Sequence, residues 1–350
     1  MNQTTLTVKS ILENLRPLML LGVGGLLGSI LLTPVYTTLA YRYRWWKRPR
    51  TDAISGEKAT VFNKMHAEKH RRHIPTMAGI VGLLVLAGVT LAFNLDRGQT
   101  YLPLAAMIGA GILGLLDDVI NLRTNGSGTG GLSSKLKFVL MVLIASGLAY
   151  WFVVKLGYST IHTPFNAELM LGGPLLFAFI VFVVVGTANA VNITDGLDGL
   201  AGGLLISAYG AFGLIAFLQS NFGLAGFCFT IMGTLISYVW FNIFPARFFM
   251  GDVGSFALGT GLAVVSIMTN TVLLLPVIGI VFVGEVVSVV LQLSSKKILK
   301  RKLFLSAPIH HHFEASGWPE TKVTMRFWVV GQVAAAAGIL LAIWGGFVTL

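Results

Sequence analysis

The sequence predicts an all-α, polytopic membrane protein of about ten transmembrane helices, and three observations carry that reading. The 350 residues are 55% hydrophobic and only 11% charged, where a soluble domain runs near 25% charged. Mean hydropathy is +0.79. Apolar runs of about 20 residues, long enough at helical rise to cross about 30 Å of hydrocarbon, recur along the whole chain. This composition excludes an ordinary soluble protein, a disordered chain and a disulfide scaffold. The one cysteine, Cys228, lies in an apolar run.

The first run, 18–40, follows Lys9 and Arg16, as the core of a signal peptide would. It is too long for one and is followed by no small-residue cleavage site, so a retained helix is expected. Runs at 75–94, 101–119, 136–155, 172–191, 199–218 and 223–243 come next. The runs at 253–270 and 272–293 are separated only by Asn270 and Thr271, which demands a tight turn. The last run is 327–348. The 41 glycines suit helices packed closely in lipid. Two long polar connections, 41–74 and 294–326, and a glycine-rich turn at 125–131 interrupt what reads as one integral-membrane domain over 1–350.

Charge orients the bundle. Ten spans put both termini on one side, and 21 of the 25 Lys and Arg then fall in the connections after odd-numbered spans. The positive-inside rule makes those connections cytoplasmic and both termini extracytoplasmic. A net charge of +11 would suggest nucleic acid in a soluble protein. Here it points to anionic lipid head groups, and no nucleic-acid partner is expected. Most of the ten cations from Arg42 to Arg72 and the five from Lys296 to Lys302 read as head-group anchors. Arg71, Lys135 and Lys137 lie near motifs and are candidates for substrate phosphates.

The acidic residues are few enough to weigh singly. Asp117, Asp118, Asp195, Asp198 and Asp252 come from three odd-numbered connections, each at a helix end. Asp117 and Asp118 are adjacent and repel, and at a helix C-terminus they oppose its dipole. A simple cap is therefore a poor account of the pair. A divalent-cation site or a carboxylate base at head-group level explains it. Asn189, Asn192, Asp195 and Asp198 recur every three residues. That spacing drifts about 60° per step on a straight helix, so a bend at Gly196 and Gly199 is needed before the four can converge. Asp252 precedes a span, where a helix N-terminus favours phosphate, although an ordinary N-cap would read the same way. Gly251 and Gly254 beside it permit close backbone approach to a ligand.

Three histidines, His310, His311 and His312, follow Pro308 in the last long connection. On a helix they point about 100° apart and cannot share one metal; in an extended segment His310 and His312 share a side. Phosphate contact fits them better than zinc. Glu285 is the single acid inside a span, either a transport carboxylate or a hydrogen-bonded structural partner. Carboxylates, imidazoles and cations gathered at one membrane face imply Mg²⁺-assisted phosphoryl transfer between a soluble and a lipid substrate. No Walker A or kinase signature is present.

The runs Leu115–Asp118, Asn189–Leu200, Phe249–Ser255 and Ala307–Glu314, with Pro75–Gly79, resemble the bacterial phospho-N-acetylmuramoyl-pentapeptide transferases. These belong to the polyprenyl-phosphate N-acetylhexosamine-1-phosphate transferases. The resemblance covers the chain in order. It implies attack of undecaprenyl phosphate on UDP-MurNAc-pentapeptide, giving undecaprenyl-pyrophosphoryl-MurNAc-pentapeptide (lipid I) and UMP. It also implies Mg²⁺, the bacterial inner membrane and a homodimer. By motif position Asp252 would be the main metal ligand, with Asp117 and Asp118 nearby. The resemblance leaves two mechanisms open, Asp117 as base for the lipid phosphate or an aspartate as nucleophile through a covalent phosphosugar intermediate. Asn189, Asn192, Asp195, Asp198, Asn242, Lys137 and Thr76 would line the nucleotide and phosphate site, with Phe249 a stacking surface for uracil. His310, His311 and His312 would contact the phosphates or the muramoyl part, with Gln292 facing them. One departure is Arg71, where the family usually carries lysine; a guanidinium fork does not replace an ammonium point charge. A sibling transferring N-acetylglucosamine-1-phosphate is the nearest alternative, and the Pro308–Glu314 run argues against it. A secondary transporter would instead place its ionisable groups near the midplane.

Overall fold

The computed structural model describes residues 8–46, 73–123 and 131–348. Arg71 and most of the first basic connection lie outside the described residues. Each of the ten expected runs carries a helix. The elements in order are α1 (Val8–Arg42), α2 (Gly79–Phe93), α3 (Tyr101–Arg123) and α4 (Ser134–Tyr150), then α5 (Gly173–Thr194), α6 (Leu200–Leu218), α7 (Phe222–Asn242) and α8 (Gly251–Met268). The last four are α9 (Leu275–Ile278), α10 (Ile280–Ile298), α11 (Ile309–Ala315) and α12 (Glu320–Trp344). Eight of these are long and apolar enough to cross a membrane singly, counting α4 together with its continuation to Lys155. The chain is a multi-pass membrane protein.

Two expected spans depart from the simple picture. The second is α2, a helix of only 15 residues. The ninth is broken: α9 and α10 meet at an 80° bend. Pro276 lacks an N–H, and Gly279 separates the two helices, so the hydrogen-bond ladder is interrupted within one turn. The tight turn before it is present, with Thr269, Asn270 and Thr271 folded back on α8 through backbone bonds. The fourth connection holds a small antiparallel hairpin, β1 (Thr160–Thr163) against β2 (Ala167–Met170), which the apolar runs did not foretell.

The hub is α8, whose span is 83% buried. Its glycines, alanines and serines let neighbours approach at backbone distance. A Cβ on Gly259 would stand 2.7 Å from the Ala188 Cα of α5, and one on Gly114 would stand 2.2 Å from the Asp252 carbonyl. The contact at Gly114 brings the C-terminal turns of α3 beside the first turn of α8. The close approach around Gly251 and Gly254 serves the chain itself, since Gly254 rests on Gly79 and Gly251 on Asp118 and Met77.

Candidate active site

The connections after odd-numbered spans meet at one end of the bundle, and the acidic motifs meet there with them. Asp117 lies near the end of α3, which runs on to Arg123 rather than closing at the Asp117–Asp118 pair, Lys137 lies in the first turn of α4, and Asp252 sits in the first turn of α8. Lys137 Nζ lies 2.8 Å from Asp117 Oδ2 and 2.8 Å from Asp252 Oδ2. One ammonium therefore bridges two carboxylates that would otherwise repel. It also lies 5.6 Å from the Phe256 ring centroid. Asp117 is buried, and its Oδ1 accepts the Leu132 N–H at 2.7 Å. Asp252 is the more open carboxylate, with 15% of its side chain exposed.

The adjacency of Asp117 and Asp118 is resolved by helix geometry, since neighbours point about 100° apart. Asp118 turns away from Lys137 and accepts the Val253 N–H at 3.1 Å. That N–H is one of the donors a helix leaves unsatisfied at its start. Asp118 thus caps α8 from another helix, and Asp252, on the first turn itself, is left to face the ammonium. Asn192 Nδ2 donates to Ser255 Oγ at 2.8 Å, which ties the end of α5 to the same turn. Asn189 Nδ2 donates to the Val185 carbonyl of its own helix at 2.8 Å. The expected bend after α5 is present: Asp195 caps α5 and Gly199 has φ +77°. Asp195 is half-buried, whereas Asp198 is buried and accepts the Ala246 N–H at 2.9 Å.

The Pro75–Gly79 segment runs against Phe249 and Met250 through three backbone bonds of 2.8–3.0 Å. Thr76 is buried there, its carbonyl accepting the Tyr36 hydroxyl at 2.6 Å. Phe249 is half-buried. Asn242 bridges the Gly199 N–H and the Phe248 carbonyl. Lys135, two residues before Lys137 and about 200° around the helix, is exposed.

The histidines lie on α11, a helix, so they splay. His310 Nδ1 is 2.9 Å from Glu285 Oε2, and both side chains are almost fully buried. Glu285 is thus a hydrogen-bonded partner facing the bundle. His310 Nε2 lies against Gly196, where a Cβ would stand 2.4 Å away. His311 Nδ1 is 2.7 Å from Glu314 Oε2, and burial pushes the His311 imidazole below its ordinary range against the pull of Glu314. His312 Nδ1 accepts the Leu305 N–H at 3.2 Å. Gln292 holds the same loop, with Oε1 accepting from Leu303 and Phe304 and Nε2 donating to the Phe304 carbonyl.

Residues 100–270 match the family described as glycosyl transferase family 4. Over 348 residues the chain is 37% identical to the phospho-N-acetylmuramoyl-pentapeptide-transferase of Chloroflexus aurantiacus (strain ATCC 29366 / DSM 635 / J-10-fl), covering 95% of this chain and 91% of that protein. It is 36% identical to the protein of that name from Geobacillus thermodenitrificans (strain NG80-2), covering 90% and 95% of the two chains. With that of Lactobacillus delbrueckii subsp. bulgaricus (strain ATCC BAA-365 / Lb-18) the identity is 43%, over 77% and 85%. The chain belongs to the phospho-N-acetylmuramoyl-pentapeptide-transferase family. It is an enzyme, a glycosyl-1-phosphate transferase.

In this transferase the bridged carboxylates fit a divalent cation. Both Oδ2 atoms already reach a single positive charge. Among the described residues no three acidic, histidine or cysteine side chains gather around one point. A pair is what Mg²⁺ asks of a protein, because substrate phosphates and water fill the remaining positions. Sequence reasoning left two members of the cluster unassigned. Ser255 lies inside a quoted motif one helical turn beyond Asp252, and that spacing was the available signal. Leu132 contributes only its backbone N–H, which no side-chain pattern reveals.

Proposed function

We propose that the protein transfers phospho-MurNAc-pentapeptide from UDP-MurNAc-pentapeptide to undecaprenyl phosphate at the cytoplasmic face of the bacterial inner membrane. A phosphate oxygen of the lipid forms a bond to the β-phosphorus of the nucleotide sugar. The bond from that phosphorus to the bridging oxygen breaks, and UMP leaves with the electron pair. The observation that carries the reading is the Asp117–Lys137–Asp252 bridge, which draws on three helices at the end of the bundle where the motifs meet. The relatives' names and the basic odd-numbered connections support the substrates and the orientation.

Asp117 and Asp252 would hold Mg²⁺, which when bound neutralises charge on the transferring phosphates. Lys137 would then be released toward a phosphate oxygen. Asp117, which accepts from the Leu132 N–H and from Lys137, is the candidate base toward the lipid phosphate. Asp118 acts by fixing the first turn of α8. Asn192 and Asp195 reach the nucleotide from the end of α5, with Phe249 beneath the uracil and the α11 loop toward the muramoyl group.

The test is UMP release by purified protein given UDP-MurNAc-pentapeptide, undecaprenyl phosphate and Mg²⁺, beside a UDP-GlcNAc control. Release should need both lipid and metal and fall by about 10²–10³-fold in Asp252→Asn. Turnover of UDP-GlcNAc alone would move the protein to the sibling reaction. One equivalent of UMP released without lipid would replace direct displacement by a covalent intermediate.

A further inference from the structure

The Asp198–Gly199 dipeptide ends the bend between α5 and α6, and side chains from elsewhere bind every one of its backbone polar groups. The Asp198 N–H donates to Glu320 Oε1 at 2.7 Å. The Asp198 carbonyl accepts Thr324 Oγ1 at 3.3 Å. The Gly199 N–H donates to Asn242 Oδ1 at 2.9 Å, and its carbonyl accepts Trp328 Nε1 at 3.1 Å. Three of these four partners come from α12, more than 120 residues away in sequence. Glu320, Thr324 and Trp328 are spaced four apart, so they form one face over the first turns of that helix.

The fit is steric as well as polar. A Cβ on Gly203 would stand 2.2 Å from the Trp328 indole, and one on Gly199 would stand 3.3 Å from it, at a φ of +77° that disfavours any side chain. Nothing in α6 itself requires this arrangement. A bend of this kind exposed to solvent would take its hydrogen bonds from water and hold several conformations. Here three of the four backbone groups of Asp198 and Gly199 are held by a helix that contributes no residue to the bridged carboxylates.

We propose that the Glu320–Thr324–Trp328 face of the last span is a positioning clamp. It sets the Asp195–Gly199 turn and thereby aims Asp195, at the end of α5, at the nucleotide substrate. The inference rests on the reading that the Asn189–Asp198 segment lines the nucleotide site. The three residues are positioning residues, since they act only through the turn.

Two measurements on the full-length protein test it. In UMP-release kinetics, Glu320→Ala should raise KM for UDP-MurNAc-pentapeptide about tenfold, as expected for a lost hydrogen bond to a charged acceptor. KM for undecaprenyl phosphate and kcat should stay within about twofold. Trp328→Phe keeps an aromatic six-membered ring but removes the N–H with the five-membered ring, and should raise the same KM about threefold. Glu320→Gln keeps an acceptor and should restore wild-type values. Hydrogen exchange of the 195–203 peptide reads the clamp without turnover: it should speed up about tenfold in Glu320→Ala and return to the wild-type rate in Glu320→Gln. Unchanged exchange in Glu320→Ala and Trp328→Phe would overturn the clamp whatever the activity. Faster exchange with an unchanged nucleotide KM would overturn its link to the substrate. Wild-type protein that releases no UMP from UDP-MurNAc-pentapeptide would instead sink the functional reading, and the exchange result would still judge the clamp.

Discussion

The two ends of the helical bundle close their connections with different chemistry. At one end, Asp117, Lys137 and Asp252 from three helices share a single ammonium, and Glu285 faces His310 in the interior. At the other end the ties between connections seen among the described residues are between neutral groups, and the His162–Glu168 pair at 3.4 Å stays within the hairpin. Asn94 Nδ2 donates to the Gly223 carbonyl, Gln99 Oε1 accepts the Leu224 N–H, and Gln219 Nε2 donates to the carbonyls of Thr269 and Phe347. The Phe165 N–H donates to the Gly345 carbonyl. Asp96 there only caps its own exposed turn, through Gly98 and Gln99.

The same spans end at both faces, so packing alone does not require buried charge. Taking ions out of water costs several kcal/mol each, and a neutral amide network closes a bundle without that cost. The satisfaction differs too. Among the described residues His310 Nε2 and Glu285 Oε1 are buried charge-bearing groups with no hydrogen-bond partner at those atoms, whereas at the other end the amide ends of Gln219 and Asn94 reach carbonyls and the orphaned buried atom is the neutral Thr90 Oγ1. The charged end carries features that stability would not select, which is the mark of a site.

Substitutions at the two ends should therefore separate activity from stability. The largest effect is expected for Asp252→Asn: a loss of about 10²–10³-fold in kcat for UMP release, as for other groups that organise charge in a transition state. Its Tm should hold or rise, because one of two neighbouring carboxylates is neutralised. A large fall in Tm would make Asp252 a structural residue. Lys137→Met comes next and should lower both activity and Tm, since it leaves two carboxylates without their shared cation. The stability loss should stay below the about 3–5 kcal/mol of a fully buried pair, because 24% of the lysine side chain is exposed. Millimolar Mg²⁺ should return part of the Tm, measured without substrate; no recovery would argue against a cation seat between Asp117 and Asp252.

The neutral end supplies the contrast. Gln219→Leu removes two hydrogen bonds and should cost about 1–3 kcal/mol of stability, with kcat unchanged within about twofold at a temperature where the variant is folded. A comparable loss of kcat would erase the distinction between the ends. Sidedness sharpens it further. Cys228 is buried, so single cysteines can be read against a silent background. An impermeant maleimide applied outside intact cells should label Arg97→Cys and spare Ser316→Cys, and the reverse pattern would invert the assigned orientation.

The smallest effect concerns pH. The His311 pKa is lowered by burial, so the unfolded chain takes up this proton first. The contribution of this site to stability is full above the unfolded value near 6.5 and falls as pH drops toward the folded value. His311→Gln should flatten the Tm decline below about pH 6.5. An unchanged slope would assign the acid sensitivity to other groups.

Ten apolar runs were enough to find the helices, because a span must be about 20 apolar residues whatever its neighbours are. The acidic motifs were legible for a related reason: charge is scarce in this chain, so each carboxylate stands out. What each one does was not legible. Asp117 and Asp118 look alike in sequence, yet one faces Lys137 and the other caps α8. That division follows from the angle between successive residues on α3 and from where α8 begins. The histidine run left helix and extended forms open, and α11 decides for the helix, sending each ring to a different partner. The break at Gly279 and the hairpin at 160–170 were missed, since hydropathy counts apolar residues and does not register a change of direction.

The sequence by itself determined the membrane class, the apolar runs that carry helices and the motifs that mark the family. Those follow from composition and local spacing, which act along the chain. Only the tertiary structure decided that Lys137 joins Asp117 to Asp252, that Glu285 faces His310, and that the last helix grips Asp198 and Gly199. Those partners lie 20 to 129 residues apart. Their meeting depends on which helices pack against one another, a choice made by close contacts such as those of α3 on α8 at Gly114 and of α12 on α6 at Gly203, and invisible to any local pattern.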